Sequence, residues 1–412
     1  MDDNGGEELR RIRGNDPDIT SLYSDEIDEN YIQNMTDEDW EELGRDIANN
    51  THLESLYVSY GFLNDQRVSF SFRGLKRSTS IAEVHLYNNQ LSAAGIQSMV
   101  PFLQDANKLI CLNLDSNNIQ SEGFNFLLRS LRDSPIEMLY CCRCGIASIE
   151  IDIGNKPKHL KKLLLDSNRI NADGCRELVK LLQGGDATLT ELHLQANKID
   201  DEGVAILVNA LQNNTALKTL YLCCNDDISK QGEIMLLKLV NDISSIEATL
   251  QSNFLDIHLG FELYRTEQIV RQINMASKIN RLPGEAGREK VIQTQLNSKR
   301  RAELAAMQGA NNESLYSEID PLHLPEVLAL VGRHHGQGEL FVALRSSIAE
   351  VMSTVNRKEC LKQENSYYSA KIAEFRAKME ANEAELAIIE ASEASVVNFG
   401  SESRCNKRRR AS

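Results

Sequence analysis

One tryptophan in 412 residues, seven prolines and an aromatic share of 6% mean that any core this chain builds must be mainly aliphatic. Long apolar runs are missing too. Nothing approaches the roughly 20 residues that span a bilayer, and the opening Met1-Asp-Asp-Asn-Gly-Gly-Glu-Glu8 has no apolar signal segment. Positive charge is in deficit: 45 Lys and Arg against 60 Asp and Glu leave a formal net charge of −15. That argues against a general nucleic-acid-binding protein, whose footprint is broadly basic. The nine cysteines fall at irregular spacing, as in Cys141-Cys142-x-Cys144 and Cys223-Cys224, and read as reduced thiols rather than a disulfide frame. The chain therefore reads as intracellular, with the Asn-x-Ser/Thr matches at Asn34, Asn49, Asn213 and Asn312 idle. Also absent are a nucleophile with a plausible base, a Gly-rich phosphate cradle and a paired-carboxylate constellation, so no enzymatic activity or cofactor is expected.

What the chain does have is one pattern, repeated. Leu189-Thr-Glu-Leu192-His-Leu194-Gln-Ala-Asn197-Lys-Ile199 recurs in copies that begin at Leu53, Ile81, Leu109, Ile136, Leu160, Leu189, Leu217 and, faintly, Ser245. Such a fixed interval marks a repeat solenoid. The x-L-x-L-x portion alternates with period two and predicts a short strand, with Leu112 and Leu114, Leu163 and Leu165, or Leu192 and Leu194 pointing into the stack. Asn89, Asn117, Asn168, Asn197, Asn225 and Asn253 then fall where the turn leaves backbone groups to be satisfied. A helix start with a polar cap follows at Ser92, Ser121, Asn171, Asp200 or Ser229, before an apolar series such as Val204, Leu207 and Leu211.

This arrangement, with Gly95, Gly123, Gly174, Gly203 and Gly232 early in the helices, resembles leucine-rich repeats of the ribonuclease-inhibitor-like subclass over roughly residues 50 to 260. The resemblance implies an α/β fold, a curved horseshoe with parallel strands on the concave face and helices on the convex one. Two copies look irregular. The first has Gly61 in the Asn position and an Arg-containing stretch, Arg67 to Arg77, where a clean helix is expected to be lost. The copy from Ile136 has Cys144 in that position and no helical Gly, so a turn or extended segment through Ile149, Ile151 and Ile153 should replace its helix. Pro101 should end or kink the helix that Ser92 starts.

Outside the repeats the expected layout is a disordered 1–15, an N-terminal cap over 16–52, the repeat domain over 53–260, and a capping helix with basic linker over 261–310. The cap rests on a capping-box-like Thr36-Asp-Glu-Asp39 ahead of Trp40, Leu43 and Ile47. A helical hairpin over 311–358 and a coiled-coil-like helix over 359–397 should follow, the latter from the heptad spacing of Leu361, Tyr368, Ile372, Phe375, Met379, Leu386 and Ile389. The basic tail 398–412 ends in Lys407-Arg-Arg-Arg410. The compartment is expected to be cytoplasmic, or nuclear if that cluster acts as an import patch.

The outward strand positions supply the candidate site. Tyr57, His85, Tyr140, His193 and Tyr221 form one row, and Tyr87, Asp115, Cys142 and Asp166 belong to the next. Tyrosine offers large contact area with few rotors and a polar tip, which binding surfaces favour. The expected function is a non-enzymatic scaffold that binds another protein on this face, with possible self-association through the C-terminal helix. A small-GTPase regulator, suggested by one branch of the resembling subclass, and a coiled-coil structural oligomer are the alternatives. No metal is expected: Cys141 and Cys144 occupy inward positions, which leaves Cys142 alone outside.

Overall fold

The strand half of every repeat is realised as a three-residue β-strand. The computed structural model describes residues 6–27, 29–60, 62–244, 246–260, 267–281 and 304–308, with positions 366, 369, 373 and 376–379 beyond them. Nine strands lie side by side in chain order, all parallel: β1 (Ser21–Tyr23), β2 (Ser55–Tyr57), β3 (Glu83–His85), β4 (Cys111–Asn113), β5 (Met138–Tyr140), β6 (Lys162–Leu164), β7 (Glu191–His193), β8 (Thr219–Tyr221) and β9 (Asp256–His258). The register puts Leu22, Leu56, Val84, Leu112, Leu139, Leu163, Leu192, Leu220 and Ile257 next to one another in one inward row. None is more than 4% exposed. Each such burial stabilises the fold by about 2 kcal/mol, and because the row is continuous, each repeat depends on its neighbours.

The turn after each strand is held by an asparagine ladder. Asn117 shows how: its Nδ2 donates to the Leu86 carbonyl of the preceding repeat (2.8 Å) and to its own Leu114 carbonyl (2.9 Å), while its Oδ1 accepts from Leu91 N–H (3.1 Å). Asn89, Asn168, Asn197 and Asn225 make the same kind of bridge. At the fourth copy the Cys144 thiol donates to Leu114 carbonyl at 3.2 Å. Cys144 thus reproduces the donor half of the ladder.

Helices α4 (Asp65–Leu75), α5 (Ala93–Asp105), α6 (Gln120–Ser130), α7 (Ala172–Leu178), α8 (Asp201–Leu211) and α9 (Lys230–Val240) follow their strands. Asn64, Ser92, Asn171, Asp200 and Ser229 cap their helices with side-chain acceptors, as polar N-cap residues do. Ser121 does not. Helix α6 begins two residues earlier, at Gln120, and the Ser121 hydroxyl instead accepts from Ala147 and Ser148 N–H at 2.9 and 2.8 Å. Two expectations are corrected here. Arg67 to Leu75 belongs to a regular helix, because Val68, Phe72 and Leu75 share a buried face. Pro101 sits inside α5 without ending it: the proline ring is exposed, and Met99, Phe102 and Leu103 around it are buried. Gly61 lies outside the described residues.

Between β5 and β6 no α-helix forms, only a 3-10 turn at Ile153–Asn155. Neighbouring helices take over the backbone of this extended segment. Asn125 Oδ1 accepts from Glu150 N–H (3.0 Å), Glu177 Oε2 accepts from Ile151 N–H (2.7 Å) and Lys180 Nζ donates to Ile151 carbonyl (3.1 Å). Ile149 and Ile151 are buried, whereas Ile153 is 63% exposed.

The N-terminal end is more ordered than the sequence indicated. Residues Gly6–Arg13 form α1 rather than a disordered stretch, with Leu9 and Ile12 buried. Two apolar residues among so many charges are too few to display a period, yet one helical face suffices to dock them. A short helix, α2 (Glu29–Asn34), follows β1. Helix α3 (Asp37–Asn49) has the full capping box, Thr36 N–H to Asp39 Oδ2 at 2.8 Å and Asp39 N–H to Thr36 Oγ1 at 3.3 Å, and buries Trp40, Leu43 and Ile47. It packs so closely on α4 that a Cβ at Gly44 would meet the Ser71 carbonyl, and one at Gly74 would lie 2.6 Å from Arg45 N.

At the other end the copy expected from Ser245 is not a strand repeat. Residues Ile246–Gln251 form α10, and Thr249 is buried. Asn253 donates to the Leu211 and Asn214 carbonyls (2.6 and 3.0 Å), so it is not a ladder residue. The true strand comes later because Leu255, Ile257 and Leu259 alternate with polar residues and all three are buried. Helix α11 (Glu267–Asn280) covers this last strand: Ser277 Oγ accepts from Ile257 N–H (3.1 Å), and Asn280 Nδ2 donates to Leu255 carbonyl (2.7 Å). An uncovered edge strand would present those groups to other chains. The helical residues 304–308 belong to the same unit. Gln308, expected in a linker, is buried, donates to Asn241 carbonyl (2.9 Å) and accepts from Ile243 N–H (3.3 Å).

The chain divides into two units, Met1–Glu313 and Ser314–Ser412. The expected hairpin, most of the heptad run and the basic tail lie outside the described residues. Among the described residues no helix is long and apolar enough to cross a membrane.

Candidate functional site

With the middle residue of each strand committed to the core, its two neighbours face outward. The second of these gives a row that runs Tyr23, Tyr57, His85, Asn113, Tyr140, Leu164, His193, Tyr221 and His258 across the sheet. Adjacent parallel strands lie about 4.8 Å apart, which is also a comfortable spacing for stacked rings. At the N-terminal end Tyr23 and Tyr57 stack with centroids 4.5 Å apart, and Tyr57 and His85 stack at 4.4 Å. At the other end His193 lies 4.0 Å from Tyr221, and Tyr221 stacks on His258 at 4.2 Å. Two ring stacks therefore flank a centre of Asn113, Tyr140 and Leu164.

The first outward position of the strands supplies carboxylates beneath the histidines. In Glu83-Val84-His85, Glu191-Leu192-His193 and Asp256-Ile257-His258 the acid and the imidazole sit on one face two residues apart, because the strand period is two. The pairs close at 3.4, 2.7 and 3.2 Å respectively. His193 is the most enclosed, since its Nδ1 also lies 3.6 Å from Asp166. Burial works against its charge, but the Asp166 and Glu191 carboxylates outweigh that and raise its pKa above 6.5. For Glu191 burial likewise opposes charge, and His193 with Lys162 (3.0 Å) prevails, holding the carboxyl below its ordinary value. Asp256 pairs with Arg281 as well as with His258.

The next row holds Tyr87, Asp115, Cys142 and Asp166, all half-buried. Asp115 Oδ1 accepts from Cys142 N–H (2.6 Å), and burial raises its pKa. Asp166 accepts from Gln195 N–H at 2.8 Å and from its side-chain amide at 3.3 Å. These two carboxylates thus staple adjacent strands together on the outer face. Burial first, and then Asp115 and Asp166, push the Cys142 thiol far up, so it is not a reactive thiolate. Cys141 and Cys144 are core residues, and burial likewise pushes Cys141 up.

All nine residues singled out in the sequence lie on this face, and the structure brings His193 together with Asp166 and with Tyr221. Three further members escaped notice. Tyr23 belongs to a strand outside the repeat spacing, His258 to the strand displaced from the Ser245 register, and Tyr60 to a turn where it adopts φ 63°. Tyr60 is 66% exposed and meets Tyr87 edge-on at 5.7 Å. Only the acid-apolar-His triplet could have signalled His258 in advance.

Similarity at the level of sequence agrees with this architecture. A leucine-rich-repeat family model matches residues 106–124 and 185–207. The ribonuclease inhibitor of Mus musculus is 25% identical over 234 residues, which is 55% of this chain and 49% of the inhibitor. The chain is thus similar to leucine-rich-repeat proteins of the ribonuclease-inhibitor-like type. The alignment spans about half of the inhibitor's length. Among solved structures, leiomodin-1 actin-binding site 2 aligns over 72% of this repeat protein and 96% of its own chain at 13% identity, with a TM-score of 0.22. A chain from the Rad7 and Elc1 complex of yeast aligns over 57% and 62% at 15% identity, with a TM-score of 0.35.

Proposed function

We propose that the protein is a non-enzymatic interaction scaffold that captures another protein on the outer face of its sheet. The observation that carries this reading is the row of half-buried rings, already stacked within 4.0 to 4.5 Å and fixed by carboxylates on the neighbouring positions. Rings held in place before binding lose little conformational entropy when a partner arrives. They also offer the aromatic contact area in which binding energy concentrates. The groups on this face serve as strand staples and ion pairs, not as an activated nucleophile: the Cys142 thiol is pushed up and His193 is engaged by two carboxylates.

The test is capture from lysate by the full chain carrying Tyr140→Ala with Tyr221→Ala. Partner recovery should fall while the helical circular-dichroism signal is retained. Unchanged recovery, combined with its abolition when residues after 310 are removed, would transfer the binding role to the C-terminal region.

A further inference from the structure

The two ring stacks differ in how their carboxylates are neutralised. At the C-terminal end Glu191 has Lys162, and Asp256 has Arg281. At the N-terminal end Glu83 accepts only from hydroxyls, Tyr57 Oη at 3.3 Å and Ser55 Oγ at 3.5 Å, with the His85 ring at 3.4 Å. No lysine or arginine reaches it among the described residues, and its side chain is 33% exposed. Around it lies the densest aromatic surface of the sheet. Tyr23 is 39% exposed, Tyr57 stacks between Tyr23 and His85, and Tyr87 and Tyr60 form an edge-on pair one outward position further along.

A partly exposed carboxylate with no cation beside it, in a patch that also holds the exposed rings of Tyr23 and Tyr60, has the makings of a site for a cationic side chain. The charge pairs with the acid, and the flat guanidinium or the ammonium lies against ring faces, where the quadrupole attracts it. We propose that Glu83, with Tyr23, Tyr57, Tyr60 and Tyr87, forms a subsite for an arginine or lysine side chain from the captured protein, arginine being favoured because it can stack and pair at once. The subsite rests on the reading that the outer sheet face binds protein, and it names the chemistry of that partner at one end of the face.

The test uses the full chain and a short fluorescein-labelled peptide with two arginines separated by glycine, alongside the same peptide with citrulline in their place. Citrulline keeps the planar shape and removes the charge. Anisotropy titration should show the arginine peptide binding about tenfold more tightly than the citrulline peptide. Glu83→Gln should erase most of that preference. Tyr60→Ala, which removes a mostly exposed ring and leaves the core alone, should weaken the arginine peptide several-fold, whereas Glu122→Gln on α6 should change nothing. Equal affinity for the two peptides, no binding of either, or an equal loss in Glu122→Gln and Glu83→Gln would overturn the subsite. If the subsite fails while Tyr140→Ala with Tyr221→Ala still abolishes partner capture, the broader reading of the face stands without it.

Discussion

The ladder asparagines each do three jobs that no apolar residue of similar size can do, because they supply donors and an acceptor at once inside a turn. Replacing Asn117 by alanine would leave the Leu91 N–H without its partner and take one of two donors from each of the Leu86 and Leu114 carbonyls, which keep Asn89 and Cys144. Buried groups left unpaired cost about 1 to 3 kcal/mol each before the site relaxes. Asn117→Ala should therefore lower the urea midpoint by an amount worth about 1 to 3 kcal/mol, while Asn213→Ala, on an exposed turn, should stay within about 0.5 kcal/mol of the parent. His193 supports a prediction of another kind. Its folded pKa is raised, so its contribution to stability is fully present below about pH 6.5 and is lost as pH rises through the folded value. Glu191, held below its ordinary value, contributes above about pH 4.5 and loses that contribution as pH falls through its lowered value. Denaturant midpoints measured from pH 6 to 8 should fall more steeply in the parent than in His193→Gln. Parallel curves would remove the carboxylate pair from the account.

At the level of elements, the strand half of each repeat could be read from the sequence because its signal is local: two inward leucines, a fixed gap and an asparagine. The helix half was harder. Arg67 to Leu75 looks too polar for a helix until Phe72 and Val68 are seen on one buried face, and Pro101 looks like a stop until its ring is found facing solvent. The Ser245 copy misled for a related reason. Two short alternating runs follow each other there, and only neighbouring packing selects the later one, which moved His258 onto the face and Thr249 into the core. The nine candidate site residues were accessible to sequence reasoning because outward positions follow from register, and the acid-apolar-His pairs lie within single strands where the same spacing shows them; the ring stacks and the His193–Asp166 contact were not, since they join residues from different repeats. Helix α3 against α4 offers the sharpest test of packing. Gly44→Ala pushes a methyl into the Ser71 carbonyl, and the two helices must separate. Overpacked contacts cost about 1 to 3 kcal/mol, sometimes more, and this one should lie near the upper end. A thermal midpoint unchanged within error would mean the helices sit further apart than described.

At the scale of the repeat array, the ends decide whether a stack of this kind stays soluble. Helix α11 places Ile269, Val270 and Ile273 against the last strand and α9, while at the start α3 packs on α4 and α1 on α3. Ile273→Asp buries a charge at the cap and should release α11, exposing the β9 edge; light scattering should then report association where the parent scatters as a single species of lower mass. A mutant with the parent's mass and midpoint would show that α11 is dispensable to the end of the array. The central claim concerns the face between those ends. Photo-crosslinking measures it most directly, with benzoylphenylalanine placed at Leu164 in the middle of the outward row or at Phe126 on α6. A captured partner should be crosslinked from Leu164 and not from Phe126. Crosslinking from Phe126 alone would contradict it.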